Sequence, residues 1–464
     1  MSVISSLRKQ IYKSALKFNR PATQELAFMR ENQWLPSQHV KAIQQQRLEQ
    51  LLNYAYEHVP YYKKLFDEIG LVHSGQIHLE RFKELPILDK PTIRANFQAL
   101  TSDEIGSLKV FKNRTGGSTG EPLVVLQDRD GVRMTGGAVL RLFYEWHGVE
   151  PGDKEIKLWG SERDLFYQSQ INLSSVRQWM SGAKVLNAFL MTSERMRQYI
   201  ATINDYKPKL LRGYSNNLYE LAQFAEQNGL TIHPPNLVIS SAGTLYPLFR
   251  QKMEDIYGCS AFNHYGTREM HNMAMECPEG KNLHISAFTH IIEVINENSQ
   301  PCPPGVEGDL VITSLVEYAM PLIRYRIGDR GTLSQNNCSC GRGLPVLAEL
   351  SGRKVNSFRT SDGRIVPGEY FIHLLGVYFH DHPIGKFQVI QEDYEVIYFK
   401  LIMRSGGYLA SNIQQAIEEK TRLVMGQGCH IKFEYVDDIP PTSSGKYFYT
   451  ICNIPDLPQP ELAE

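Results

Sequence analysis

The stretch Arg114 to Val125, reading RTGGSTGEPLVV, constrains the fold more than any other in this 464-residue chain. Gly116, Gly117 and Gly120 free the backbone for positive φ and expose its N–H groups. Thr115, Ser118 and Thr119 add three hydroxyl donors. Pro122 stops a helix, and Val124 to Leu126 reads as a buried strand. A loop of this make-up, running into a strand, suits the wrapping of phosphate oxygens. A Walker-type loop needs Lys directly after its last Gly, where this chain has Glu121. GGSTG also fits the G-x-S-x-G nucleophile elbow, but that elbow opens a helix, and Pro122 with the following strand opposes one. A solvated turn is the plain alternative.

The length calls for two or three domains. With 49 basic against 50 acidic residues there is no electrostatic footprint for nucleic acid. Seven irregularly spaced cysteines do not make a secreted disulfide framework and point to a reducing cytoplasm. No stretch approaches the ~20 apolar residues of a membrane span, and the N-terminus lacks a signal-peptide core. Within residues 1–20, Ile4, Leu7, Ile11, Ala15 and Phe18 recur at helical spacing among Arg8, Lys9, Lys13, Lys17 and Arg20. That pattern suits either a peripheral helix on anionic lipid or an amphipathic helix docked on its own domain.

Further along, Leu48, Leu51, Leu52, Ala55 and Val59 form a helical stripe ended by Pro60. Leu85 to Phe97 reads as an extended entry and a second helix. Between 126 and 240, short strands alternate with helices, the mark of a layered α/β protein. Gly213 to Leu230 is a helix, and Leu237 to Ser240 a buried strand ending in Ser-Ala-Gly-Thr, the kind of edge where open α/β sheets bind ligands. Cys259 to Met270 is strand-like and ends with Tyr265, Gly266 and Glu269: a ring to stack on a base, a close approach, and a carboxylate for Mg²⁺. In MPLIRYRIGDRG, Asp329 reads as a strand-end carboxylate able to accept both hydroxyls of a ribose, or as a turn Asp paired with Arg330. Beyond Ser351 to Val355 the composition shifts. Strands around 387–391 and 394–403, a helix near 411–424 and a strand at 431–436 make a small α/β domain. A Ser/Gly-rich loop, Pro440 to Tyr449, carries Lys446.

RTGGSTGEP, SSAGT, HYGTRE, IRYRIGDRG with SGRK, and PTSSGK stand in an order that resembles the adenylate-forming superfamily of acyl- and aryl-CoA ligases. Within it the chain looks most like the phenylacetate–CoA ligase-like branch, including CapK-type proteins of capsular polysaccharide clusters. Leu51 to Phe66 and Leu85 to Lys90 resemble that branch too, so the likeness covers nearly the whole chain. Two departures stand out: Leu123 where superfamily loops often carry Lys, and Arg268 between Thr267 and Glu269. The resemblance implies a large α/β N-terminal AMP-binding domain, residues 1–353, and a small mobile C-terminal α+β domain, residues 354–464. Lys354 would be the hinge between them. It also implies that Thr115, Gly116, Gly117, Ser118 and Thr119 hold the ATP β- and γ-phosphates. Gly243 and Tyr265 would frame the adenine, Glu269 bind Mg²⁺, Asp329 take the ribose with Arg353 nearby, and Lys446 bridge the acid and the α-phosphate.

Cys338 and Cys340 sit at the tip of what reads as a hairpin, and Cys277 and His284 stand earlier in ECPEGKNLH. Such a set suits Zn²⁺, with Gly341 permitting the sharp turn and Cys302 as a reserve ligand. Similar clusters occur in the branch the chain resembles, and four protein ligands would make the site structural. Reduced thiols beside an unrelated His are the alternative. The expected activity is that of an ATP-dependent, AMP-forming acid–thiol ligase with CoA as acceptor. The alternative is an adenylating transferase or assembly protein of surface polysaccharide synthesis. Trp159, Tyr214, Phe262 and His264 hint at an aromatic or small polar acid.

Overall fold

The computed structural model describes residues 3–17, 20–114, 123–160, 179–188, 191–243, 245–351, 358–362, 364–366, 368–375, 379, 382–404, 407–439 and 449–454. The chain forms two compact units from interleaved stretches. One takes Met1–Asn113, Val124–Pro151 and Phe262–Arg353; the other takes Arg114–Leu123, Gly152–Ala261 and Lys354–Glu464.

In the first unit, helix Ser37–His58 forms on the stripe read from the sequence, with Leu48, Leu51, Leu52 and Ala55 all buried. Pro60 does more than end it. It opens the next helix, Pro60–Ile69, where its missing N–H costs nothing, and Gly70 closes that helix at φ 66°. Asp89 caps helix Lys90–Ala95 by accepting from the Thr92 N–H. The first helix, Val3–Lys17, is turned the unusual way round. Lys9 and Lys13 both reach Glu150, at 2.7 and 3.0 Å, while Leu7 and Ile11 are 56% and 50% exposed. No helix among the described residues is long and apolar enough to cross a membrane.

The body of this unit is an antiparallel sheet. Its strands run in the spatial order His290–Ile295, Gly308–Ser314, Tyr325–Leu333, Val346–Leu350, Leu283–Ile285, His271–Glu276 and Ala261–Thr267. Arg324, almost fully buried, fastens the Leu85–Lys90 segment to it. Its guanidinium donates to Glu293 (3.0 Å) and to the carbonyls of Lys83 (2.7 Å) and Leu85. Its own carbonyl accepts from the Leu88 N–H at 3.0 Å.

The second unit holds a parallel sheet in the order Leu237–Ser241, Leu210–Tyr214, Glu155–Trp159, Ala183–Asn187. Leu237–Ser241 is buried throughout, as parallel strands covered on both faces are. Helices Ser193–Tyr206, Ser215–Gln227 and Pro247–Tyr257 belong with it. Its C-terminal part is a four-stranded sheet ordered His430–Tyr435, Val396–Met403, Ile384–Asp393, Thr450–Cys452, with helix Ser411–Met425. A single apolar cluster runs through the unit, joining Leu211 and Leu221 to Phe371, Phe387, Phe399 and Ile417.

Candidate active site

In the first unit, the HYGTRE and IRYRIGDRG motifs meet the strands that flank residues 115–122. Strands Val110–Arg114 and Val124–Asp128 pair with each other on either side of residues 115–122. Strands Ala261–Thr267 and His271–Glu276 form a second hairpin, whose turn is Arg268–Met270, with the Thr267 hydroxyl accepting from the Met270 N–H at 3.1 Å. Glu269 sits in that turn, yet is only 5% exposed. Its side chain accepts from the Tyr325 hydroxyl at 3.4 Å. No salt-bridge cation is paired with it among the described residues, so this buried carboxylate fits a divalent-ion ligand.

Asp329 lies inside strand Tyr325–Leu333 rather than at a strand end. The register jumps from Asp309↔Arg330 to Val311↔Arg326, so Ile327, Gly328 and Asp329 bulge opposite Leu310, with Gly328 at φ 92°. The bulge aims a buried carboxylate at the Tyr265 hydroxyl, which donates to it at 2.7 Å. Arg330 does not pair with Asp329. It binds Glu307 at 3.0 Å and Asp309 at 3.3 Å.

Thr115, Gly116, Gly117, Ser118, Thr119, Arg353, Lys354 and Lys446 lie outside the described residues. In the second unit, Gly243 is partly exposed just beyond strand Leu237–Ser241, after Ala242 at φ 58°. There too Trp159 packs on Tyr214 at 4.4 Å, with the Arg212 guanidinium 5.1 Å above the Trp159 ring. Phe262 and His264 belong to the first unit, against His147 (4.1 Å) and Phe143 (6.1 Å).

Cys277, His284, Cys338 and Cys340 come together with every ligand atom within 4.8 Å of the others. Cys277 Sγ lies 3.5 Å from Cys338 Sγ, and Cys340 Sγ 3.3 Å from His284 Nε2. Tetrahedral ligands ~2.3 Å from an ion stand roughly 3.7 Å apart, so the donor set fits Zn²⁺. Burial holds His284 down to about 4, neutral and able to ligate at neutral pH. Burial pushes the Cys277 thiol up to about 11. At Cys338 burial is outweighed by accepted hydrogen bonds, the Asn282 amide first, and the thiol is pulled down. Gly341 takes φ 83° in the turn that brings the two hairpin cysteines round. Cys302 is not in the group; its sulfur lies 3.9 Å from the Glu307 carbonyl.

Several residues around these sites escaped the sequence reading. Tyr325 and Gln127 hold the turn that carries Glu269, and the one available signal was a Gln inside the otherwise apolar run LVVLQ. Arg342, beside the cysteines, stands 4.5 Å from the Trp34 ring and 4.6 Å from that of Trp146. Nothing in CGRG signals two indoles so far away in sequence.

Residues 358–453 match the CapK C-terminal domain family. The chain is 25% identical over 431 residues to Protein CapK of Staphylococcus aureus, covering 89% of each. It is also 25% identical over 340 residues to phenylacetate-coenzyme A ligase of Thermus thermophilus, covering 71% of this chain and 73% of the other. Among solved structures, 2-hydroxyisobutyryl-CoA ligase in complex with 2-HIB-AMP and CoA superposes with a TM-score of 0.60 at 18% identity, covering 91% and 92% of the two chains. That last likeness is one of fold.

Proposed function

We propose that the chain is a member of the adenylate-forming superfamily, in the branch of phenylacetate–CoA ligases and CapK, and that it is an ATP-dependent, AMP-forming ligase that activates a carboxylic acid and passes the acyl group to CoA. The observation that carries this reading is the buried Tyr265–Asp329 hydrogen bond, which joins two motifs 64 residues apart in the same unit as Glu269. An aromatic ring, a carboxylate for ribose hydroxyls and a carboxylate for a divalent ion suit a nucleoside triphosphate.

The substrate carboxylate attacks the α-phosphorus, forming a C–O–P link as the bond to pyrophosphate breaks. Two anions meet, so positive charge must be aimed at the phosphates. Mg²⁺, when bound, supplies part of that charge, and Glu269 is the residue that would hold it. Thr115 to Thr119 would carry the β- and γ-phosphates on backbone N–H and hydroxyl donors. Gly243 and Tyr265 would flank the adenine, Asp329 the ribose with Arg353 nearby, and Trp159, Tyr214, Phe262 and His264 would shape the acid's pocket. Lys446 would place a point charge between acid and α-phosphate for the first half-reaction. Rotation of a C-terminal domain, residues 354–464, about Lys354 would withdraw that charge and open the site to CoA, parting apolar side chains that it packs against residues 152–261. The Cys277–His284–Cys338–Cys340 group would hold a structural zinc. None of the seven cysteines is in a disulfide, which suits work in a reducing cytoplasm.

A second reading keeps the adenylation step and changes the acceptor to an amine or hydroxyl of a sugar or carrier in surface polysaccharide synthesis; the match to Protein CapK, over 89% of both chains, lends it weak support. A screen of aryl, amino and fatty acids for ATP-dependent AMP release, repeated with CoA and with amino-sugar acceptors, tests both. CoA-dependent thioester formation supports the ligase, and acyl transfer to the sugar alone supports the second reading.

A further inference from the structure

Turns between strands normally face water, so a carboxylate buried in one must be held there. Glu269 is held from behind. Asn113 Nδ2, on one stem of the 110–128 hairpin, donates to the Arg268 carbonyl at 2.9 Å. Gln127 Nε2, on the other stem, donates to the Arg268 carbonyl at 3.2 Å and the Glu269 carbonyl at 3.1 Å. The two amides are tied to each other, Asn113 Nδ2 donating to Gln127 Oε1 at 2.8 Å. Gln127 is 2% exposed, and its amide spends every described bond on this junction. A buried amide in an apolar strand is costly unless satisfied, so the position is chosen for its hydrogen bonds and not for packing.

We infer that Gln127, with Asn113, is a positioning residue. It locks the Glu269 turn to the two strands that bracket residues 115–122, and the help that Mg²⁺ gives to ATP binding depends on that lock. The inference rests on the reading of Glu269 as the Mg²⁺ ligand. A divalent ion that Glu269 would hold needs its oxygen ligands at short, fixed distances, so a displaced carboxylate would bind it poorly. Two hairpins joined only by their own strands would leave the turn that carries Glu269 free to shift. The amide pair fixes it through backbone carbonyls, leaving the Glu269 carboxylate itself for the ion. Tyr325 holds the side chain from the opposite end of the residue.

The test uses the full chain and displacement of a fluorescent ATP analogue by ATP, in excess Mg²⁺ and in EDTA. The ratio of the two affinities is the Mg²⁺ contribution. Gln127→Leu and Gln127→Glu should each lose about tenfold of it, the order expected for one or two hydrogen bonds. Affinity in EDTA should stay at the wild-type value. Gln127→Glu matters because it keeps the shape and removes both donors; a packing role predicts that this variant behaves as wild type, which would overturn the inference. Equal losses with and without Mg²⁺ would also overturn it. Asn113→Leu, at the more exposed stem, should show a smaller loss of the same kind and serves if the Gln127 variants fold poorly. Glu269→Gln should abolish the Mg²⁺ contribution, and adding Gln127→Leu to it should change nothing further. If Glu269→Gln keeps the contribution, the reading of Glu269 fails and the inference falls with it. Absence of ATP binding in the wild type would instead sink the proposed function.

Discussion

Replacing Asp329 with Ala probes a buried part of the proposed nucleotide site. Asp329 and Tyr265 are 5% and 6% exposed and share a 2.7 Å hydrogen bond. Two losses follow. The Tyr265 hydroxyl loses its carboxylate acceptor, which costs on the order of 1–3 kcal/mol of stability. The ribose hydroxyls lose a charged acceptor in a dry site, about 1.5–3 kcal/mol, so the KM for ATP should rise roughly 10- to 150-fold. Tyr265→Phe separates the two. It keeps the ring and the carboxylate but removes the same hydrogen bond, so it should melt lower by a similar amount yet leave ATP dependence within a few-fold of wild type. The assay is ATP dependence of pyrophosphate exchange, with thermal melting in parallel. ATP dependence unchanged in Asp329→Ala would refute the ribose assignment. An equal rise in Tyr265→Phe would mean that the junction, not the ribose contact, had been damaged.

Protein purified without chelator should carry about one zinc per chain, and Cys338→Ser with Cys340→Ser should lose it and melt lower; metal analysis of wild type finding none would remove the zinc site. Chelation should also alter Trp146 fluorescence, since that ring is 5.8 Å from the His284 ring. Lys446→Ala should slow adenylation by about 10²–10³-fold while sparing acyl transfer from a synthetic acyl-adenylate to CoA, as read by single-turnover kinetics; equal loss in both halves would point to general damage. Burial holds His147 and His271 down to about 4 and His290 to about 3, against about 6.5 unfolded. The unfolded chain therefore takes up these protons first, so their stabilisation is full above about pH 6.5 and is lost as pH falls toward about 4. Glu317, raised by burial, acts in the opposite sense over part of that window, so Glu317→Gln should steepen the acid loss seen in urea melts. A flat profile in that variant would contradict the assignment.

The order of motifs was legible because each needs particular residue types: glycines and hydroxyls before a strand, a ring followed by Gly, a carboxylate in an apolar run. What the sequence hid was register. Gly266 reads as room for a ligand, yet a Cβ there would meet the His271 carbonyl oxygen of the partner strand. Asp329 reads as a strand end because Gly328 precedes it, whereas the glycine makes a bulge whose existence depends on Leu310 opposite. The cysteine pair at 338 and 340 was readable from spacing, and its partners across the sheet from their chemistry. Long-range charge pairing was not: Lys9 and Lys13 find Glu150 more than 130 residues away, and so turn the first helix's apolar stripe outward. Gln127 went unnoticed because strand patterns score it as an interruption.

Activation of a carboxylate on ATP is tested most directly by ATP–pyrophosphate exchange, measured across aryl, amino and fatty acids with and without Mg²⁺. The expected exchange requires both an acid and Mg²⁺, needs no CoA, and collapses in Lys446→Ala. Exchange with no acid requirement, or none with any acid while ATP still binds, would contradict that activation.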